Sequence, residues 1–187
     1  MSDADVDYGP LAGLIGTWKG DKGMDIAPEP DGTEENAFYE TISFEAGGDV
    51  TNAESQTLSV VPYRQVVQRK SNNEVFHHQL GYWLWDPARK AIVESVTIPR
   101  AVCCLAGGTF SGDAKAESIV LEVASKLGDP DWGIIQSPFM RDNASTVAFE
   151  HKVTLAAGEL RYAETTYLEI YGRKFDHTDE NVLKRVG

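Results

Sequence analysis

Apolar and polar residues alternate along most of this chain with the period of two that marks half-buried strands. Residues 147–155 show it best: Val147, Phe149, Val153 and Leu155 share one face with His151, while Ala148, Glu150, Lys152 and Thr154 share the other. Residues 119–123 repeat the pattern with Ile119, Leu121 and Val123, and residues 160–170 place Leu160, Tyr162, Leu168 and Ile170 together. Segments rich in Val, Ile, Thr, Tyr, Phe and Trp predict further strands at 38–45, 50–60, 63–70, 75–85, 91–98 and 101–110.

The breaks carry hairpin chemistry. Gly47-Gly48-Asp49, Ser71-Asn72-Asn73, Asp86-Pro87-Ala88-Arg89 and Ala157-Gly158-Glu159 supply turns or residues tolerant of positive φ, so successive strands are expected to be antiparallel neighbours. No long helical period appears. A sandwich leaves sheet edges that a closed barrel removes. The expectation is one all-β domain over residues 1–187, a closed antiparallel up-and-down β-barrel of about ten strands at roughly 10–186, of the lipocalin or fatty-acid-binding-protein kind. Residues 10–15, Pro-Leu-Ala-Gly-Leu-Ile, predict a short helical turn able to plug one barrel end, with Pro10 suited to its opening position. The segment from Asp21 to Asn36, rich in Gly, Pro, Asp and Glu, reads as a loop and a lid candidate.

Some inward faces carry polar residues. His151 lies among four apolar neighbours, Glu164 with Leu160, Tyr162 and Leu168, and Glu94 in register with Ile92, Val96 and Ile98. Burying such groups is costly without partners or water, so a hydrated or ligand-lined cavity accounts for several at once, whereas an open barrel rim accounts for any one alone. If the lumen is dry, His151→Leu is expected to be tolerated. His77 and His78 are consecutive on a strand and point to opposite faces, so at most one lines the lumen.

Charge narrows the partners. A net charge of −12, from 29 acidic and 17 basic residues, offers neither a phosphate-neutralising surface nor a run of cations for an anionic membrane, which argues against nucleic-acid and membrane partners. The N-terminus has neither a basic start nor an apolar stretch, and no run reaches spanning length, so a cytoplasmic location is expected. Cys103 and Cys104 are adjacent, too close for an ordinary disulfide, and read as reduced strand residues. The four histidines form no zinc spacing, and the chain has no Gly-x-Ser-x-Gly elbow, P-loop or dinucleotide fingerprint.

At Leu14-Ile15-Gly16-Thr17-Trp18-Lys19-Gly20 the chain resembles the opening strand of the nitrobindin-like (THAP4-type) heme-binding β-barrels, which share the architecture of fatty-acid-binding proteins. His77-His78-Gln79-Leu80-Gly81-Tyr82-Trp83 resembles that family's His-x-Glu-x-Gly-Tyr strand, and Ile92-Val93-Glu94 followed by Pro99 resembles its next hairpin. Leu160-x-Tyr162 then leads to His177, where the family carries its heme-iron ligand. Gly16 to Gly23 departs by one extra residue before the last Gly, Gln79 stands where Glu is usual, and Leu84 where Arg is common.

The resemblance implies a non-covalent b-type heme, since no Cys-x-x-Cys-His is present, with His177 as axial ligand and Trp18, His77, Tyr82, Trp83 and His151 as pocket candidates. Asp176 or Asp179 beside His177 either orients the ring for iron or holds a protonated structural histidine in a turn before the last strand. The implied chemistry is on nitric oxide or peroxynitrite, with isomerisation to nitrate. The alternative is a carrier of a fatty acid or similar small apolar ligand, its carboxylate met by Arg64, Arg100 or Arg161. A filled lumen serving a plain interaction domain is a third. The oligomeric state is left open, a homodimer included.

Overall fold

The computed structural model describes residues 6–186. Its strands are β1 (Gly16–Glu29), β2 (Gly32–Phe44), β3 (Asp49–Asn52), β4 (Gln56–Arg69), β5 (Val75–Asp86), β6 (Ala91–Ile98), β7 (Val102–Thr109), β8 (Ser118–Lys126), β9 (Ile134–Gln136), β10 (Ala144–Ala156), β11 (Glu159–Ile170) and β12 (Arg173–Arg185), with helix α1 (Pro138–Asn143) between β9 and β10. Leaving β3 and β9 aside, successive strands pair antiparallel, with β2 meeting β4 and β8 meeting β10, and β1 pairs with β12, so the sheet closes on itself. β3 only extends the pairing of β4, and β9 that of β7, leaving ten strands in the barrel wall.

The two ends differ. The N-terminal turn is a 3-10 helix at Gly9–Leu11, beginning one residue before the expected start. It seals one end: Leu11 and Leu14 are wholly buried, and the Trp18 indole Nε1–H donates to the Leu14 carbonyl (2.7 Å). Gly9 sits at φ +51°, and a Cβ there would lie 2.4 Å from Trp85 Nε1, so both conformation and space demand glycine. The opposite end gathers the hairpin turns at 30–31, 70–74, 99–101 and 171–172 together with α1, and it stays open.

The segment 21–36 is not a loop. It forms the outer halves of β1 and β2, joined by a tight turn at 30–31. The inward positions here carry Asp25 and Asn36, which hydrogen-bond each other, so the strand buries polar atoms and shows no apolar alternation. β1 also changes phase: Gly20 to Gly23 opposes Glu40 to Phe38 of β2, which places one extra residue in β1, a β-bulge. The bulged Lys22 N–H donates to Asn181 Oδ1 (3.2 Å).

Other boundaries shift for local reasons. The expected strand 50–60 is split, because Ala53 and Glu54 turn at positive φ without glycine. Residues 56–69 then run on as one strand through Pro62, where β4 leaves β2 and meets β3. Val147 drops out of the inward row at a β10 irregularity, and Thr146 takes the inner position. Helix α1 was not anticipated; Pro138 opens it and the Ser137 hydroxyl accepts from the Met140 N–H (3.3 Å).

Candidate functional site

A cavity of about 390 Å³ opens at the unplugged end. Its apolar lining includes Val67, Phe76, Val96, Ile98, Phe149 and Leu168. Across one side the strand register aligns polar residues in a row: Asn36 opposite Asp25, Asp25 opposite Asp179, Asp179 opposite Glu164, and Glu164 opposite His151.

His177 sits two residues from Asp179 on the same face of β12, within the strand rather than in a turn before it. Its Nε2 lies 2.6 Å from Asp25 Oδ1 and 3.6 Å from Asp179 Oδ2. Asn36 Nδ2 donates to the other Asp25 oxygen (2.9 Å). Burial acts to raise the Asp25 pKa, but the His177 and Asn36 hydrogen bonds hold it below the usual carboxylate range. Burial acts to depress His177, yet the Asp25 hydrogen bond and the Asp179 charge raise it. Asp179, with less support, is pushed well up by burial. Donor atoms of Asp25, His177 and Asp179 all lie within 4.8 Å of one another, which among the described residues makes them the group able to hold a metal.

A second chain of bonds descends from the cavity into the core. His77 Nε2–H donates to Gln79 Oε1 (3.2 Å), Gln79 Nε2 to the Tyr63 hydroxyl (2.7 Å), and that hydroxyl to Glu94 Oε1 (2.9 Å). His151 Nδ1–H donates to Glu94 Oε2 (2.8 Å). Burial opposes the charge on His151, but the Glu94 carboxylate outweighs it and pushes the pKa up to about 9. His77 has no carboxylate partner, and burial lowers its pKa. Glu164 faces the cavity, where burial, moderated by His151, raises it to about 7. Deeper still, Glu40 accepts from Gln65, Tyr162 and Asn181 (2.8, 3.2 and 2.9 Å), and burial leaves its pKa raised even so.

Of the expected pocket residues, His177 and His77 line this cavity. His151 lies beneath it, its ring 5.7 Å from that of Trp83, 5.7 Å from Tyr162 and 6.1 Å from Phe149. Trp18 belongs to the plugged end, and Tyr82 points outward, 50% exposed, so neither lines the cavity. Asp176 is also exposed; Asp179 lies beside His177 as expected, but the hydrogen-bonded carboxylate is Asp25, hidden by the loop reading of its segment. Arg100 lines the mouth, whereas Arg64 and Arg161 are exposed outside, bonded to His78 and Glu159. Arg69, not singled out from sequence, lines it too. Cys103 and Cys104 are free and border the cavity; burial pushes the Cys104 thiol up to about 12, which keeps it an unreactive thiol.

Residues 7–185 match the family model of the THAP4-like, heme-binding beta-barrel domain. Among solved structures the barrel is similar to Rv2717c from M. tuberculosis, with a TM-score of 0.68, 19% sequence identity and 95% of each chain covered, a likeness of fold. No curated protein matches the chain. No helix among the described residues is long and apolar enough to cross a membrane.

Proposed function

The chain belongs to the THAP4-like family of heme-binding β-barrel domains, and on that premise we propose that its cavity takes a b-type heme on His177 and that the loaded protein converts peroxynitrite to nitrate or scavenges nitric oxide. The observation that carries this reading is the His177–Asp25 pair on the wall of an apolar cavity. A ligating histidine ordinarily donates its second ring N–H to a carboxylate, which fixes tautomer and orientation. Donation from Nε2 to Asp25 leaves Nδ1 as the nitrogen with a free lone pair.

The donor set and the lining fit the group. A flat apolar macrocycle requires an apolar face and one strong axial nitrogen; Val67, Phe76, Val96, Ile98, Phe149 and Leu168 would supply the first and His177 the second. Heme held there by His177 would supply iron chemistry toward small nitrogen and oxygen species. The protein's own part is to hold the His177 ring through Asp25 and Asn36, to fix the His77 ring through Gln79, and to displace water with the apolar side chains of the lining. Glu164, with a pKa of about 7, can hold or release a proton at the cavity surface near neutral pH.

Titration with hemin, followed by absorption, tests the binding step. A Soret band should saturate at one heme per chain, weaken by about tenfold or more in His177→Ala through loss of the axial bond, and persist in His78→Ala, whose side chain lies outside. Nitrate yield from peroxynitrite, with and without bound hemin, tests the reaction. No heme-dependent gain in decay rate would remove the catalytic half of the proposal, and no Soret band would remove both.

A further inference from the structure

Arg69 stands where β4 reaches the open end. Its guanidinium lies over the Phe76 ring, 4.9 Å from the centroid, and lines the cavity. Its Nε is buried with no hydrogen-bond partner, a costly state for a charged donor. The nearest carboxylate, Glu34, is 3.9 Å from the terminal nitrogen, beyond hydrogen-bond reach, and already accepts from Asn36 (3.0 Å). Arg100 lies on the same rim, exposed, with no ion pair among the described residues. Deeper in the cavity no arginine or lysine among the described residues lines the wall, which carries Asp25, Glu164 and Asp179. An anionic group on a ligand is therefore drawn to the two arginines at the lip.

We propose that Arg69 and Arg100 form a carboxylate-binding lip that seats an acidic group of the cavity's ligand at the mouth and so orients the apolar remainder inward. A planar guanidinium presents parallel N–H donors matched to a carboxylate, and the Phe76 ring fixes its plane. The Arg69 guanidinium makes no side-chain hydrogen bond within the described residues and so has donors left for that group. The inference rests on the heme reading to the extent that the acidic group is a propionate. A fatty-acid carboxylate offers the same chemistry.

The test compares hemin with hemin dimethyl ester, whose propionates are neutral, on the intact protein by absorption titration. Hemin should bind at least about tenfold more tightly than the ester, the margin expected for a charge-assisted bond. In Arg69→Met and Arg100→Met that margin should shrink, with ester affinity unchanged and circular dichroism confirming the fold. Equal affinity for hemin and ester in the unmodified protein, or an equal loss of both in the variants, would overturn the lip. If the protein takes up neither, the heme reading fails on its own, and oleate against methyl oleate, displacing a fluorescent fatty-acid probe, repeats the comparison. An oleate preference lost in Arg69→Met then sustains the lip, and its absence overturns it.

Discussion

His151 donates from Nδ1 to the Glu94 carboxylate deep inside the barrel. From alternation alone it is a polar group on an apolar face, and its removal should be harmless in a dry lumen. Bonded to Glu94, which is fully buried, it is instead the charge partner of a carboxylate that has no water to turn to. His151→Leu should therefore cost about 3–5 kcal/mol in urea unfolding, the range for stranding one member of a buried ion pair. A cost below about 1 kcal/mol would mean that the pair contributes no more than a surface contact. The pH dependence follows. Folded His151 keeps its proton up to about pH 9, while an unfolded histidine releases it near 6.5. The contribution is complete below about 6.5 and is lost as pH rises towards 9, so unfolding free energy should fall across that window in the unmodified protein and fall less in His151→Leu. The inward direction of His151, Glu94 and Glu164 was legible in the alternation. Their partners were not, because pairing β6 with β10 across a barrel depends on closure rather than on spacing.

At the scale of elements, the bulge in β1 decides where Asp25 points. Trp18 and Gly20 face inward at even positions, while Gly23 and Asp25 face inward at odd ones, and the extra residue between them makes the change of phase. Without it, Asp25 would leave the cavity and His177 would lose its hydrogen bond. Gly23 is needed at this point because a Cβ would lie 2.0 Å from Phe38 Cε2. Gly23→Ala should destabilise by about 1–3 kcal/mol through overpacking and should also weaken hemin binding by displacing Asp25. Equilibrium unfolding and a hemin titration on the same variant check the two effects together. The hairpin 21–36 escaped the sequence reading because its buried positions hold a mutually bonded Asp and Asn, and its acidic outer positions resemble a solvated loop. The run from 75 to 98 was readable because aromatic and β-branched residues dominate it and the Asp86-Pro87-Ala88-Arg89 turn divides it.

The whole molecule divides its barrel between a sealed end and an open one. Leu11 and Leu14 close the first, and His177, Asp25 and Arg69 belong to the second, so stability and ligand binding should separate. Leu14→Ala should cost about 2–5 kcal/mol for a fully buried leucine, with hemin affinity unchanged. A parallel loss of affinity would show the two ends to be coupled. The all-β class, the ten-strand wall and the plugged end were legible, since alternation and turn chemistry act locally, whereas His177 was singled out only by the family resemblance. The depth of the cavity and the charge row around it arise only when five strands come into register. The account stands on His177 as the axial nitrogen of a heme seated in this cavity. Resonance Raman of the reduced, hemin-loaded protein made with ¹⁵N-histidine tests that most directly. An isotope-sensitive iron–histidine stretching band should appear in the unmodified protein, vanish in His177→Ala and return on adding imidazole; a band that survives unchanged in His177→Ala would contradict it.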